Sequence, residues 1–138
     1  MKVLIVPAAA LLLANTGFAP VEVTVTGIRS DAGQVVVDIC PPEDFLKACP
    51  IEAKVRAHKG TVTVLVPGVP PGRYAIQAYH DANDNGDLNR GMFGIPKEGI
   101  GFSNDAMPRL LRPKFDVAAF DHARVAQRQA VTLRYFLG

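Results

Sequence analysis

The sequence predicts an all-β sandwich of about seven short strands, immunoglobulin-like or transthyretin-like, carrying one long Gly/Pro-rich loop. Three observations lead there. Alternating apolar and polar residues recur along the chain, as in "VEVTVTGI" and "TVTVLV". Clusters of Pro, Gly, Asp and Asn separate these segments. No long segment keeps the 3.6-residue period of an amphipathic helix. At 138 residues, 49% hydrophobic and 20% charged, the chain suits one domain with a sizeable core and is not disordered by composition.

The N-terminus, "MKVLIVPAAALLLANTGFAPVEV", reads as a secretory signal peptide over residues 1–19. Lys2 is the sole charge before Glu22. An apolar run from Val3 to Ala14 follows, and Gly17 and Ala19 take the small-residue positions of a cleavage site. Pro20 just after the cut is poorly tolerated there and leaves the exact position open. The run is too short and Ala-rich for a membrane span. The expected product is one domain over residues 20–138, periplasmic or secreted, with no membrane span after cleavage. Cys40 and Cys49 are the two cysteines, and an even pair at short separation in an exported domain predicts a disulfide. By the chain-entropy relation, closing that loop contributes roughly 2.5–3 kcal/mol.

The elements follow in order. In "VEVTVTGI", Val21, Val23 and Val25 share one face and Glu22, Thr24 and Thr26 the other. "SDAG" (30–33) supplies turn residues, and "QVVVDI" follows as a second strand, so the two are expected to pair as a hairpin. "PPEDFLKA" has two prolines and suits one helical turn inside the disulfide loop. "TVTVLV" (61–66) places Val62, Val64 and Val66 inward. "PGVPPGRY" (67–74) is a turn leading into "RYAIQAYH", where Tyr74, Ile76, Ala78 and His80 share a face. Met92 to Pro113 shows no lasting period, and loops of that length are often functional. "FDVAAFDHARVAQ" fits either a helical turn begun at Asp116 or an extended segment. "AVTLRYFL" (130–137) closes the chain as a strand, with Val131, Leu133, Tyr135 and Leu137 on one face.

The chemistry-bearing residues concentrate in "YHDANDNGDLNRGMFGIPKEGIGFSND" (79–105). This stretch closely resembles the signature of a family of exported bacterial proteins, domain-of-unknown-function family 2141. That signature is His-Asp-x-Asn-x-Asn-Gly followed by Gly-x-Pro-x-Glu-x-x-Gly-Phe-Ser-Asn. It falls here on His80, Asp81, Asn83, Asn85, Gly86, Gly94, Pro96, Glu98, Gly101, Phe102, Ser103 and Asn104. "PPGRYA" upstream and "PKFDVAAF" downstream resemble it too, so the likeness covers essentially the whole mature chain. It implies export and a β-sandwich, and no established activity.

Asp81, Asn83, Asn85, Asp87 and Asn89, with Gly86 at the sharp bend, match the first half of an EF-hand-type calcium loop. Met92 stands where that loop needs a bidentate Glu, and a strand rather than a helix leads in. Glu98 or Asp105 would have to fold back to complete the ligand set. Two readings therefore stand: a calcium site, with an affinity of about 0.1–1 mM if extracellular in type, or a polar turn satisfied by its own backbone. Oxygen-only ligands disfavour zinc and copper.

His80 and Asp81 are neighbours in a strand and point to opposite faces, so they form no direct dyad. His80 is expected to tie the long loop to the sandwich. Ser103 has no G-x-S-x-G elbow, and a Ser103–His80–Asp105 triad is only a combination of residue types. Glu98 reads as a turn or salt-bridge acceptor, and Gly94, Gly99 and Gly101 as backbone requirements. A formal charge of +2 and the absence of Trp exclude a basic, aromatic nucleic-acid footprint. The leading expectation is an exported binding or accessory protein that presents residues 80–105 to an envelope ligand or partner. The alternatives are a hydrolase using His80 with a nearby carboxylate and a purely structural envelope domain.

Overall fold

The computed structural model describes residues 18–84, 98–106 and 113–135. Their strands form two sheets packed face to face. β1 (Ala19–Ile28) is the middle of the first sheet. β4 (Gly60–Val69) pairs with it antiparallel on one side, with Val23 opposite Val64. β8 (Gln127–Thr132) pairs with it in parallel on the other, with Val25 opposite Val131. The alternation expected of β1 holds: Val21, Val23 and Val25 are buried, and Glu22, Thr24 and Thr26 face outward.

In the second sheet β2 (Gln34–Cys40) lies between β3 (Ile51–Arg56) and β5 (Gly72–Asp81), antiparallel to both. β5's other edge is shared. β7 (Phe120–His122) pairs with its start, and β6 (Ile100–Phe102) pairs with its end. Between the sheets lie Val21, Val23, Val25, Val35, Val37, Ile39, Val64, Ile76 and Val131. Complete burial of a Val or Ile side chain contributes about 1.5–3 kcal/mol, so this row is the main stabilising element.

The expected β1–β2 hairpin does not form, because the two strands belong to different sheets. The burial pattern gives the reason. β1 buries one face, whereas β2 buries both, from Val35 through Cys40. A strand buried on both faces needs strands at each edge and cover on each side, so β2 takes the centre of the other sheet and the chain crosses between layers at 29–33. Ala19, just before the expected cleavage, is buried at the start of β1, and its carbonyl accepts from His122 Nε2 at 3.0 Å.

Other boundaries shift for local reasons. The turn after β4 narrows to Pro70 and Pro71, where the Tyr74 hydroxyl donates to Pro70 O at 2.7 Å. β3, not expected from the sequence, is a strand. "FDVAAFDH" adopts both of its readings in turn, a helical turn at Phe115–Ala118 and then β7. β8 starts at Gln127, ahead of the expected 130, and ends at Thr132. Leu133 N–H then donates to Thr26 O at 2.9 Å, and Leu137 lies outside the described residues. No helix among the described residues is long and apolar enough to cross a membrane.

The outer face of the second sheet carries its own small core of Cys40, Phe45, Ala75, Phe102, Ala106 and Ala118. The disulfide loop covers it. Cys40 and Cys49 are bonded with their Cα atoms 5.3 Å apart, and Pro42–Asp44 forms the expected helical turn, of 3-10 type. Phe45 meets Phe102 and Phe115 edge to face, at 5.7 and 5.8 Å between centroids. Gln77 fastens the loop to the sheet. Its Oε1 accepts from Leu46 N–H at 2.9 Å, and its Nε2 donates to Lys47 O at 2.8 Å and Asp38 Oδ2 at 3.1 Å.

Asp38 is 6% exposed, and its Oδ1 is buried with no hydrogen-bond partner among the described residues. The register sets Glu52 opposite it. Burial pushes the Asp38 carboxyl from the ordinary 3.8 up to about 7, and Glu52 pushes the same way, against the opposing pull of Gln77 and Lys54. The folded state therefore keeps a proton that the unfolded chain releases, and this contribution to stability is lost as pH rises from about 4 to about 7. Asp38→Asn should remove that fall. Melting at about pH 5 and about pH 8 should show a smaller loss for the variant than for wild type. Equal losses would place the ionisation elsewhere.

Candidate functional site

Successive backbone N–H groups of a strand point to opposite edges, and a buried one needs an acceptor. β2 occupies one edge of β5 along Ala75–Asp81. The other edge must provide for the N–H groups of Tyr74, Ile76, Ala78 and His80, and its line continues past the strand to that of the exposed Ala82. Tyr74 lies in the β7 ladder opposite Phe120, and Ala78 in the β6 ladder opposite Gly101. Residues of the 80–105 motif meet the other three. Ile76 N–H donates to Ser103 Oγ at 2.9 Å, His80 N–H to Gly99 O at 3.0 Å, and Ala82 N–H to Glu98 Oε2 at 2.9 Å.

Ser103 fills the gap between β6 and β7. It is fully buried, and its hydroxyl donates its own proton to Ala118 O at 2.6 Å. Asn104 is left-handed (φ 59) and donates from Nδ2 to Val117 O and Ala119 O, at 3.1 and 3.0 Å. These carbonyls end the helical turn Phe115–Ala118, so Asn104 caps it with its side chain. Phe102 is buried against Phe45. Asp105 takes both Arg134 Nε (3.3 Å) and Nη2 (2.6 Å), a bidentate pair at the surface. Gly101 packs so closely on Thr132 that a Cβ there would overlap its carbonyl.

His80 is 4% exposed and sits on the core face with Ile76 and Ala78. Its Nε2 is 2.6 Å from Ala32 O, which can only accept, so Nε2 carries the proton. Asp81 is fully buried, and its backbone oxygen accepts from Asp84 N–H at 3.3 Å. Gly33 (φ 71) packs directly beneath, and a side chain there would overlap the Asp81 and Ala82 backbone.

Three side chains suited by type to acid–base or nucleophilic work thus have separate partners: His80 has Ala32, Ser103 has Ile76 and Ala118, and Asp105 has Arg134. Glu98 does fold back to the start of the loop and accepts from a backbone amide there. Of the calcium-loop residues, Asp81 and Asn83 are described, whereas Asn85, Gly86, Asp87 and Asn89 lie outside the described residues, as do Gly94 and Pro96. Among the described residues no three His, Cys, Asp or Glu side chains group as metal ligands.

Residues outside the motif complete the base. The Tyr135 ring lies against Gly99, leaving no room for a Cβ. Its hydroxyl donates to Gly27 O at 2.8 Å, and the Arg29 guanidinium sits 3.7 Å above its centroid. Sequence pattern assigns Tyr135 only a strand face and Arg29 no role, since neither contact is local. Gly33 is visible there solely as a turn residue.

A family described as "Uncharacterized protein conserved in bacteria (DUF2141)" matches residues 23–130, and the chain belongs to it. No curated protein matches the chain, and no solved structure does.

Proposed function

We propose that this family member is an exported binding or accessory domain of the bacterial envelope that presents the segment between His80 and Asp105 to a ligand or partner. The supporting observation is the construction of the base. The chain returning at Glu98 and Gly99 is bonded to the place where it left β5, Gly99 O accepting from His80 N–H and Glu98 Oε2 from Ala82 N–H just past the strand. Binding residues gather on loops that a stiff scaffold positions, and the sequence between these anchored residues, "NGDLNRGMFGIPK" (85–97), contains charged, amide and apolar residues. The N-terminal signal segment supports export, and the Cys40–Cys49 bond fits an oxidising compartment. A hydrolase built on His80 would need an imidazole open to substrate, and this one is buried and engaged.

The test replaces residues 85–97 by a Gly/Ser linker of equal length. Wild type and variant are compared by melting and by crosslinked capture from envelope extracts. Retained folding with loss of a captured partner supports recognition by the segment. Equal capture by both proteins, or none by either, would favour the purely structural domain.

For the Asx run we propose that no ion is needed, because the Ala82–Glu98 hydrogen bond already joins the two ends of the segment. The melting temperature should stay flat from chelator to about 10 mM calcium, a range set by extracellular sites. A rise with concentration that Asp87→Asn abolishes would instead make calcium the loop's ligand.

A further inference from the structure

The two sides of the sandwich are finished differently. On one, the chain after β8 closes onto β6: Ile100 N–H donates to Arg134 O at 3.0 Å and Arg134 N–H to Ile100 O at 2.8 Å. On the other, β3 and β4 are the edges of their sheets. β3 exposes Glu52, Lys54 and Arg56 in alternation, charges that deter the addition of another strand. β4, "GTVTVLVPGV", carries no charge over its ten residues and pairs, among the described residues, with β1 alone. Its outward row of Thr61, Thr63 and Leu65 is exposed, Leu65 by 57%. Val62 on the inward row is half-buried although Val64 and Val66 are buried. A long, uncharged, β-branched edge of this kind is a template for strand addition.

We propose that β4 is an interface where a second copy of this chain adds its own β4 antiparallel, joining two three-stranded sheets into one. The uncharged sequence of the edge fits that occupant. A two-fold axis at Thr63 sets Thr63 opposite Thr63, Thr61 opposite Leu65 and Val62 opposite Val64. Opposed residues in an antiparallel pair share a face, so the valine row stays inward and the threonine row outward across the junction. Each Leu65 gains cover from the partner's Thr61. Lys59 falls opposite Pro67, so no like charges meet. Pro67, which lacks an N–H, and Gly68 (φ 66) end the pairing where the strand turns irregular. Such a closed two-fold contact gives a dimer and no filament.

Sedimentation equilibrium of the purified, exported protein from about 1 to about 500 µM tests this, a span covering weak dimers. Wild type should pass from monomer to dimer. Thr63→Lys and Thr63→Glu each set like charges on the axis at an exposed position. Both should be monomeric throughout, with unchanged melting at the low end, and Thr63→Val should still dimerise. A wild type monomeric over the whole range would overturn the proposal, leaving the edge to a strand from a different protein. A dimer that persists in a folded Thr63 charge variant would also overturn it, by placing the contact elsewhere.

Discussion

Ser103→Ala is expected to destabilise the domain by about 2–4 kcal/mol and to lower its melting temperature by roughly 10 °C. The substitution removes one oxygen from a fully buried position and leaves two backbone groups without partners. Ile76 N–H loses its acceptor and Ala118 O its donor. Each orphaned buried group costs about 1–3 kcal/mol, against a total stability of about 5–15 kcal/mol for domains of this kind. The damage should centre where β6 and β7 meet β5. Denaturant unfolding of wild type and variant measures it. A change below about 0.5 kcal/mol, the range of an ordinary surface substitution, would mean that Ser103 is not the splice between the two short strands.

Gly33→Ala is expected to cost at least about 3 kcal/mol, from two separate effects. The left-handed backbone at φ 71 penalises any Cβ by about 1–2 kcal/mol. The new methyl group would also overlap the Asp81 carbonyl and the Ala82 backbone, which cannot rotate away as a side chain would. Gly68→Ala separates the two. Gly68 has a similar φ of 66, and nothing lies within 4 Å of the place a Cβ would take, so it should show the backbone penalty alone. Comparable losses in the two variants would show that the crossing at 29–33 does not press on the end of β5.

Much of this architecture is legible in local sequence because a strand half-buried against one partner layer alternates with period two. β1, β4 and the inward row of β5 all follow that rule. The pairing of β2 is not legible, because "VVV" shows burial on both faces but does not name the neighbours that supply it. β3 carries the same signal, Ile51, Ala53 and Val55 alternating with Glu52, Lys54 and Arg56, so its absence from the expected strands has no physical reason. The disulfide is legible from cysteine count and spacing, since two cysteines nine residues apart leave one choice of partner.

The 80–105 motif is legible as a signature but not as a mechanism. The burial of Ser103 and its two bonds depend on β6 and β7 leaving a gap along β5, a fact of tertiary structure. The same holds for His80, whose acceptor is a carbonyl 48 residues earlier in the chain. Polar residues in such a run suggest ligands when each is taken alone. That the Ser103 and Glu98 side chains serve amides along one line of backbone shows once β5 has been laid beside its neighbours.

Amide hydrogen exchange at Ile76, His80 and Ala82 tests that task most directly. Ile76 and His80 lie on the β5 edge away from β2 and Ala82 just past its end, and Ser103, Gly99 and Glu98 provide their acceptors. If the motif closes the edge, Ile76 and His80 should exchange as slowly as Ala75, Gln77 and Tyr79, whose amides face β2, Ala82 should be slowed less because it is exposed, and Ile76 should lose its protection in Ser103→Ala. Rapid exchange at all three in wild type, with the β2-facing amides still protected, would contradict a structural role for the motif.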